Sequence, residues 1–486
     1  MSTEKKKDTP PSYTEAMELP EKNVENKDPA AQLTAKFTKM KVIKNLLVVS
    51  VGFLFLFTAF QSMSNLQTSL NMKSGVGSGS LSILYGALVL SCLFVPPFMI
   101  AHLGCKWTIP LSMLGYILYM GANFYPVWGL MAPAAVILGL GAAPLWSAKC
   151  TYLTQTGVWY AKMTGQTEDA VINAFFGVFF MIFQTSQVWG NLISSTIFKE
   201  DDNHNATNKT FDELSKCGAN FFPADTNVTD NTNLERPVTQ KVYIVCGIYT
   251  GFAVLAAVTI IFFLDRIKLD KDDNKTSKKV SPRLLISTFK HLIKSPYQQL
   301  LIPLTIYSGV EQAFITGDFT RSYITCSMGI SNVGYIMICY GVVDALCSFT
   351  FGRLVQYVGH IPFFILAFLV HGGCQIALLL WMPNPDTVVV YYIIAACWGM
   401  GDAVIQTQIN AFYGYLFTEN TEAAFANYRL WESVGFIITY AYNDFLFTYI
   451  KLYVCIGVMC VGMAGYATTE MLVRRKRSES RDLQNN

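Results

Sequence analysis

Four carboxylates sit where a carboxylate is costly. Glu311, Asp344, Asp402 and Glu432 each lie within an apolar run, Asp344 in the middle of "ICYGVVDALCSF" at 338–349. An ionised acid facing lipid at such a depth costs at least about 2.5–3.5 kcal/mol, so these groups must face protein, water or one another. Two chemistries suit them. A carboxyl held away from bulk water can take up and release a proton, as in transporters and pumps. Alternatively it forms a fixed ion pair with Lys149 or Arg429, cations in runs of the same kind. Glu311 and Asp402 are the best candidates for either role. Arg429 and Glu432 stand three residues apart, on one face of a helix, which favours a local static pair. Lys149 falls roughly 28 Å along its run, and its long stem would let the ammonium snorkel to the boundary.

The elements that must position these groups are the apolar runs themselves. Of 486 residues, 52% are hydrophobic and 14% charged, whereas soluble domains devote about a quarter to charge. Twelve runs are each long enough to cross a hydrocarbon core about 30 Å thick: 43–63, 80–101, 107–125, 129–154, 171–197, 241–264, 299–320, 331–352, 361–382, 387–411, 424–447 and 450–473. They are solidly apolar and do not alternate, which excludes a strand barrel. The expected fold class is an all-α, polytopic membrane protein.

Charge orients it. Lys and Arg crowd the stretch before the first span, the loop 265–298 and "RRKR" at 474–477, while the opposite side carries Lys73, Arg321 and Lys451 in its short loops. The positive-inside rule then places both termini and the central loop in the cytoplasm. The expected organisation is a disordered cytoplasmic tail at 1–41, a six-helix bundle at 42–264, a cytoplasmic linker at 265–298, a second bundle at 299–473 and a tail at 474–486. The first 40 residues lack an apolar h-region, so no cleaved signal peptide is expected. Loop 198–240 carries three glycosylation sequons, at Asn205, Asn208 and Asn227, on the side that charge makes external. Cys217 in that loop and Cys326 after the seventh span both face the oxidising side, and a Cys217–Cys326 bridge would tie the two halves. Most other cysteines fall in apolar runs, where a small thiol is ordinary packing.

An internal repeat underlies the two bundles. "LYGALVLSC" (84–92) aligns with "CYGVVDALC" (339–347), Tyr85 on Tyr340, Gly86 on Gly341 and Cys92 on Cys347, each offset by 255 residues. Gly104 pairs with Gly359 at the same offset, Ala59-Phe60 with Ala313-Phe314 at 254, and "GLG" at 139–141 with "GMG" at 399–401 at 260. Parallel six-helix repeats are the plan of the major facilitator fold. "GRLVQYVGH" (352–360) resembles the loop signature of that superfamily, with Gln356 where an aspartate is usual; "PFMIAHLGCK" (97–106) keeps only Gly104 and Lys106. The two aspartates of the usual cytoplasmic charge relay are thus absent. In such a fold the first, fourth, seventh and tenth spans line a central cavity, and the third, sixth, ninth and twelfth lie outside. Charge follows that division, with His371 in the ninth span as the exception. The repeat is chemically lopsided, because position 89 is Val where its mate is Asp344.

Longer strings narrow the reading. "ILGLGAAPLWSAKCTYLTQTG" (137–157), "FQTSQVWGNLISS" (183–195), "RSYITCSMGI" (321–330) and "EAAFANYRLWESVGF" (422–436) resemble the Unc-93 family, and within it the homolog A type, over about residues 43–473. The resemblance implies a major facilitator fold at the cell surface or in endosomal membranes. It implies a role as accessory subunit of potassium channels or, in another branch, as escort for nucleic-acid-sensing receptors. It supplies no catalytic residue. The charged cavity keeps open a second class of function, a proton-coupled secondary transporter of a small solute.

The remaining motifs are minor or misleading. "PPSY", with Pro10, Pro11 and Tyr13, matches the polyproline ligand of WW domains and would recruit a WW-domain ubiquitin ligase. "GVGSGS" (75–80) mimics a phosphate loop but has no strand before it, so a turn is expected. The five histidines show no metal spacing, and no nucleophile elbow is present. Neither an enzyme, a metal site, a cofactor nor nucleic-acid binding is expected. "RRKR" reads as a juxtamembrane anchor to anionic lipid of the bilayer.

Overall fold

The structure is a computed structural model, described here over residues 38–199, 211–223, 231–267, 290–417 and 421–485. The sequons at Asn205, Asn208 and Asn227 and the Pro10, Pro11 and Tyr13 motif lie outside the described residues.

Apolar runs become helices, and their ends follow local chemistry. Helix α1 (Lys39–Leu70) starts at Thr38, whose hydroxyl accepts the Lys41 amide. A single run, Val76–Ala122, is broken at Gly104, which takes φ 71°. Its arms are α2 (76–103) and α3 (105–122). Then follow α4 (Trp128–Thr164), α5 (Glu168–Phe198) and α6 (Thr239–Phe263). Helix α7 (Pro296–Ala313) has Pro296 in its first turn, behind the capping hydroxyl of Ser295. It continues through a π-helical stretch, Phe314–Thr325, into a last turn, Cys326–Met328. The second half is completed by α8 (Ser331–Val358), α9 (Ile361–Leu380), α10 (Val388–Leu416), α11 (Thr421–Tyr442) and α12 (Thr448–Asn485). Eight stretches among these are long and apolar enough to cross a membrane.

Several boundaries differ from the expected ones. Helix α4 extends ten residues past 154, and α7 runs on to Met328, because polar side chains in both are buried against neighbouring helices. Arg321 and Lys451, read as loop cations, are therefore inside the bundle, 2% and 1% exposed. In "GVGSGS" only Gly75 belongs to the turn (φ 64°), and α2 begins at Val76. Helix α12 continues through the segment read as a tail, to Asn485.

The repeat is visible in packing. Helix α1 packs on α5 and α6 as α7 packs on α11 and α12; α2 lies on α4 as α8 lies on α10. Gly104 (φ 71°, ψ 164°) and Gly359 (φ 75°, ψ 176°) make the same turn in the two halves, a conformation that only glycine adopts freely. Gly139 of α4 abuts the Leu84 carbonyl, where a Cβ would stand 2.3 Å from the oxygen. Gly399 of α10 abuts the Tyr340 carbonyl, at 2.5 Å. Between halves, α2 meets α11 and α5 meets α8.

Hydrogen bonds between the halves cluster at the end away from the N-terminus. Thr68 Oγ1 donates to the Gly317 carbonyl (2.8 Å), Ser69 shares a bond with Thr325 (2.9 Å) and Ser82 Oγ donates to the Ile437 carbonyl (3.2 Å). Ser78 Oγ donates to Asp444, and the Tyr85 ring stacks on Phe436 at 4.1 Å. At the same end Cys217 and Cys326 are joined by a disulfide, Cα–Cα 5.7 Å, beside Phe221 and Leu234.

Candidate functional site: a buried carboxyl pair

Glu311 and Asp402 come together. Both point into the second half from α7 and α10, 0% and 4% exposed, and their carboxyls lie within hydrogen-bonding reach of each other. Glu311 Oε2 accepts the Trp398 indole N–H (2.8 Å), and Asp402 Oδ2 accepts the Tyr340 hydroxyl. Among the described residues, Oε1 of Glu311 and Oδ1 of Asp402 have no donor. Two acids this close in a dry site favour sharing a single proton over carrying two charges. The expected alternative, an ion pair of Glu311 or Asp402 with Lys149 or Arg429, is not formed.

Asp344 stands beside this pair. It is half-buried, accepts from Ser348 Oγ (3.3 Å) and is close enough to Asp402 for their charges to interact. On α8 it therefore neighbours two other acids, Glu311 and Asp402. Tyr340, one turn earlier on the same helix, bridges Asp344's element to Asp402. Next to the pair, His371 Nδ1 bonds the Tyr307 hydroxyl (2.7 Å) and Nε2 the Trp398 carbonyl (3.1 Å), so the exceptional histidine of the ninth span braces the tryptophan that holds Glu311.

Glu432 and Arg429 do pair, at 2.6 Å. Glu432 is buried and its other oxygen accepts from Ser308 and Tyr428, both at 3.0 Å. The Arg429 side chain, by contrast, is 55% exposed.

Lys149 corrects the snorkelling expectation. Helix α4 has 37 residues, about 55 Å at 1.5 Å per residue, so Lys149 lies well inside both ends. Its ammonium, 1% exposed, is enclosed by the rings of Phe179 (4.3 Å), Trp146 (4.8 Å), Phe180 (5.0 Å) and Phe176 (5.2 Å). Four ring faces stand in for the carboxylate partner, through cation–π attraction.

One buried cluster escaped sequence reading. Asp318 in the π-helical stretch binds Lys451 of α12 at 2.6 Å, both 1% exposed. Arg321 binds Asp444 at 2.5 Å and Asn443 at 2.9 Å, and Asn443 donates to Asp318 at 2.8 Å. The i,i+3 spacing of Asp318 and Arg321 was the available signal, hidden by ending the seventh span at 320. A π segment widens the helix and re-aims its side chains, and such segments recur at functional sites. Among the described residues no group of three or more metal-ligating side chains occurs.

This geometry defines the class: a polytopic membrane protein of the major facilitator fold with an acid-lined core in one half. The structure is similar to two crystal structures of the nucleoside transporter NupG, with TM-scores of 0.61 (an aspartate-to-alanine mutant) and 0.59, each 12% identical. The alignments cover 87% of this chain and 99% and 98% of those chains, a likeness of fold alone. The family model for UNC-93, ion channel regulatory protein UNC-93, matches residues 68–466, and the chain belongs to that family. It is 49% identical to protein unc-93 homolog A of Xenopus laevis over 92% of this chain and 97% of the relative. Against the human homolog A the identity is 46%, over 88% and 93%. A Caenorhabditis elegans relative, unc-93, named provisionally as a potassium channel regulatory protein, is 38% identical over 89% of this chain and 61% of its own length. The protein is thus a membrane protein of a channel-regulatory family, not of an enzyme family.

Proposed function

We propose that the protein is a non-enzymatic accessory subunit that regulates a potassium channel at the plasma membrane, with both chain ends cytoplasmic. The observation that carries this reading is the family match over residues 68–466, joined to 38% identity with the relative named for potassium channel regulation. Loss of the aspartates from the two cytoplasmic loop signatures, with Gln356 in the place of one, supports it, because a body that need not cycle rapidly needs no charge relay between its halves. Co-expression with two-pore-domain potassium channels tests it directly. Whole-cell current should change with the protein and return to control when it is omitted; unchanged current across the channel class would overturn the reading. Surface biotinylation in the same cells separates a change in gating from an escort role, in which the partner's surface level alone would move.

The Glu311–Asp402 pair favours a second reading, a proton-coupled secondary transporter of a small solute. A buried pair of acids able to hold one shared proton is a part that such coupling needs. Purified protein in proteoliposomes should then move solute under a pH gradient, and Glu311→Gln should abolish that flux while leaving the protein folded.

A further inference from the structure

The cytoplasmic end of α12 reads "RRKRSESRD" over 474–482, five basic residues and two acidic ones. Ser478 is exposed and follows Arg474, Arg475, Lys476 and Arg477 without interruption. Arginines two to four residues before a serine suit the acidic substrate groove of a basophilic protein kinase. The helix ends at Asn485, seven residues beyond Ser478, so its last turns are the part that frays into the extended form such a groove takes. Arg474 Nε binds Glu470 at 2.7 Å, and Arg475 Nε binds Glu479 at 2.9 Å, with the two arginines 65% and 79% exposed. Glu470, 13% exposed, also binds His360 at the start of α9, at 3.1 Å, and so ties the end of α12 to the body. Ser478 lies four residues after Arg474 and three after Arg475, the spacings at which helix side chains meet.

We propose that Ser478 is a phosphorylation site for a basophilic serine/threonine kinase, and that its phosphorylation switches the basic end of α12 off anionic lipid. The proposal rests on the cytoplasmic placement of the C-terminus under the proposed function. In the reaction the Ser478 hydroxyl oxygen bonds the γ-phosphorus of Mg-ATP, the bond from γ-phosphorus to the bridging oxygen breaks, ADP leaves and the hydroxyl proton passes to the kinase. The product carries a charge of about −1.5 to −2, against a net of three positive charges over 474–482. It also offers Arg474 and Arg475 a stronger partner than Glu470 and Glu479, which loosens the tie from α12 through Glu470 to His360. Each basic charge near an anionic surface holds by roughly a factor of five, so the modified end should partition to such a surface about 10- to 25-fold less.

Full-length wild type, Ser478→Ala and Ser480→Ala, in nanodiscs of phosphatidylcholine with or without phosphatidylserine, are treated with the catalytic subunit of cyclic-AMP-dependent kinase and Mg-ATP. Mass spectrometry should place the phosphate on Ser478, lost in Ser478→Ala and kept in Ser480→Ala. Amide exchange over 470–485 should be slower in the anionic discs, and phosphorylation should erase that difference. Phosphate absent from Ser478, or present there without effect on exchange, would overturn the proposal. An epitope tag at the C-terminus stained in intact, unpermeabilised cells would overturn it separately, through the topology.

Discussion

The ion pair of Asp318 and Lys451 makes the most decisive test of the architecture. Both side chains are 1% exposed and 2.6 Å apart, and Lys451 also donates to the Asn443 carbonyl at 2.5 Å. Replacing Lys451 by Met leaves the Asp318 carboxylate with the Asn443 amide as its remaining close donor. Breaking a buried pair by removing one partner costs about 3–5 kcal/mol, whereas replacing both with apolar groups of similar volume is often neutral. The double variant Asp318→Leu/Lys451→Met still leaves the Asn443 side-chain amide and the Asn443 carbonyl without these partners, a cost of about 1–3 kcal/mol each. Equilibrium unfolding in mixed dodecyl sulfate and non-ionic micelles should therefore show Lys451→Met about 3–5 kcal/mol less stable than wild type, with the double variant losing less than the sum of the two single variants. Each single variant within about 1 kcal/mol of wild type, or costs that simply add, would mean that water reaches the pair and that α7 does not bury its π-helical stretch.

Other substitutions probe the remaining features. Glu311→Gln should stay within about 1 kcal/mol of wild type, because its amide supplies the hydrogen the carboxyl pair shares, while Glu311→Ala orphans the Trp398 N–H and loses about 1–3 kcal/mol more; thermal melts followed by size exclusion compare them. Gly139→Ala and Gly399→Ala, whose new Cβ atoms would stand 2.3 and 2.5 Å from carbonyl oxygens, should each lose about 1–3 kcal/mol. Gly86→Ala, with nothing within 4 Å, should be neutral or better in the same melts. Cys217→Ser and Cys326→Ser should lower the melting temperature equally, and reductant should lower wild type to the same value. The bridge spans 109 residues, so chain entropy sets the loss at up to about 4–5 kcal/mol.

The helical class and the twofold repeat were legible because they rest on statistics that run the length of the chain. Gly104 and Gly359 were found from sequence spacing and take nearly the same backbone angles. Which acid meets which partner was less legible. Arg429 and Glu432 are neighbours on one helix, and their pairing follows from spacing alone. Glu311 meets Asp402 and Trp398 across helices, and no one-dimensional pattern encodes that register. Lys149 shows the limit differently: its partners are Phe176, Phe179 and Phe180 on α5, residues that any composition argument assigns to ordinary packing. Arg321 lies inside a span and not at its end, because Asp444 neutralises it there and the Asn443 amide oxygen accepts a further bond, partners that no composition rule reveals.

The distribution of bonds between and within halves bears on whether this body can change shape. Charge pairs such as Asp318–Lys451 and Arg321–Asp444 lie within the second half. Contacts that cross to the first half are mostly neutral hydrogen bonds, Thr68 to Gly317, Ser69 to Thr325 and Ser82 to Ile437, each worth only about 0.5–1.5 kcal/mol against water. Ser78 to Asp444 is the crossing bond to a charged group, and Asp444 keeps Arg321 as partner if it breaks. Separation at that end strands no buried charge, but the Cys217–Cys326 disulfide crosses between the halves there and limits how far they part. A shift of the halves within that limit breaks these neutral bonds, a cost of about a few kcal/mol that a partner with unequal affinity can supply. The proposed channel-regulating role and the transport reading both need such a shift.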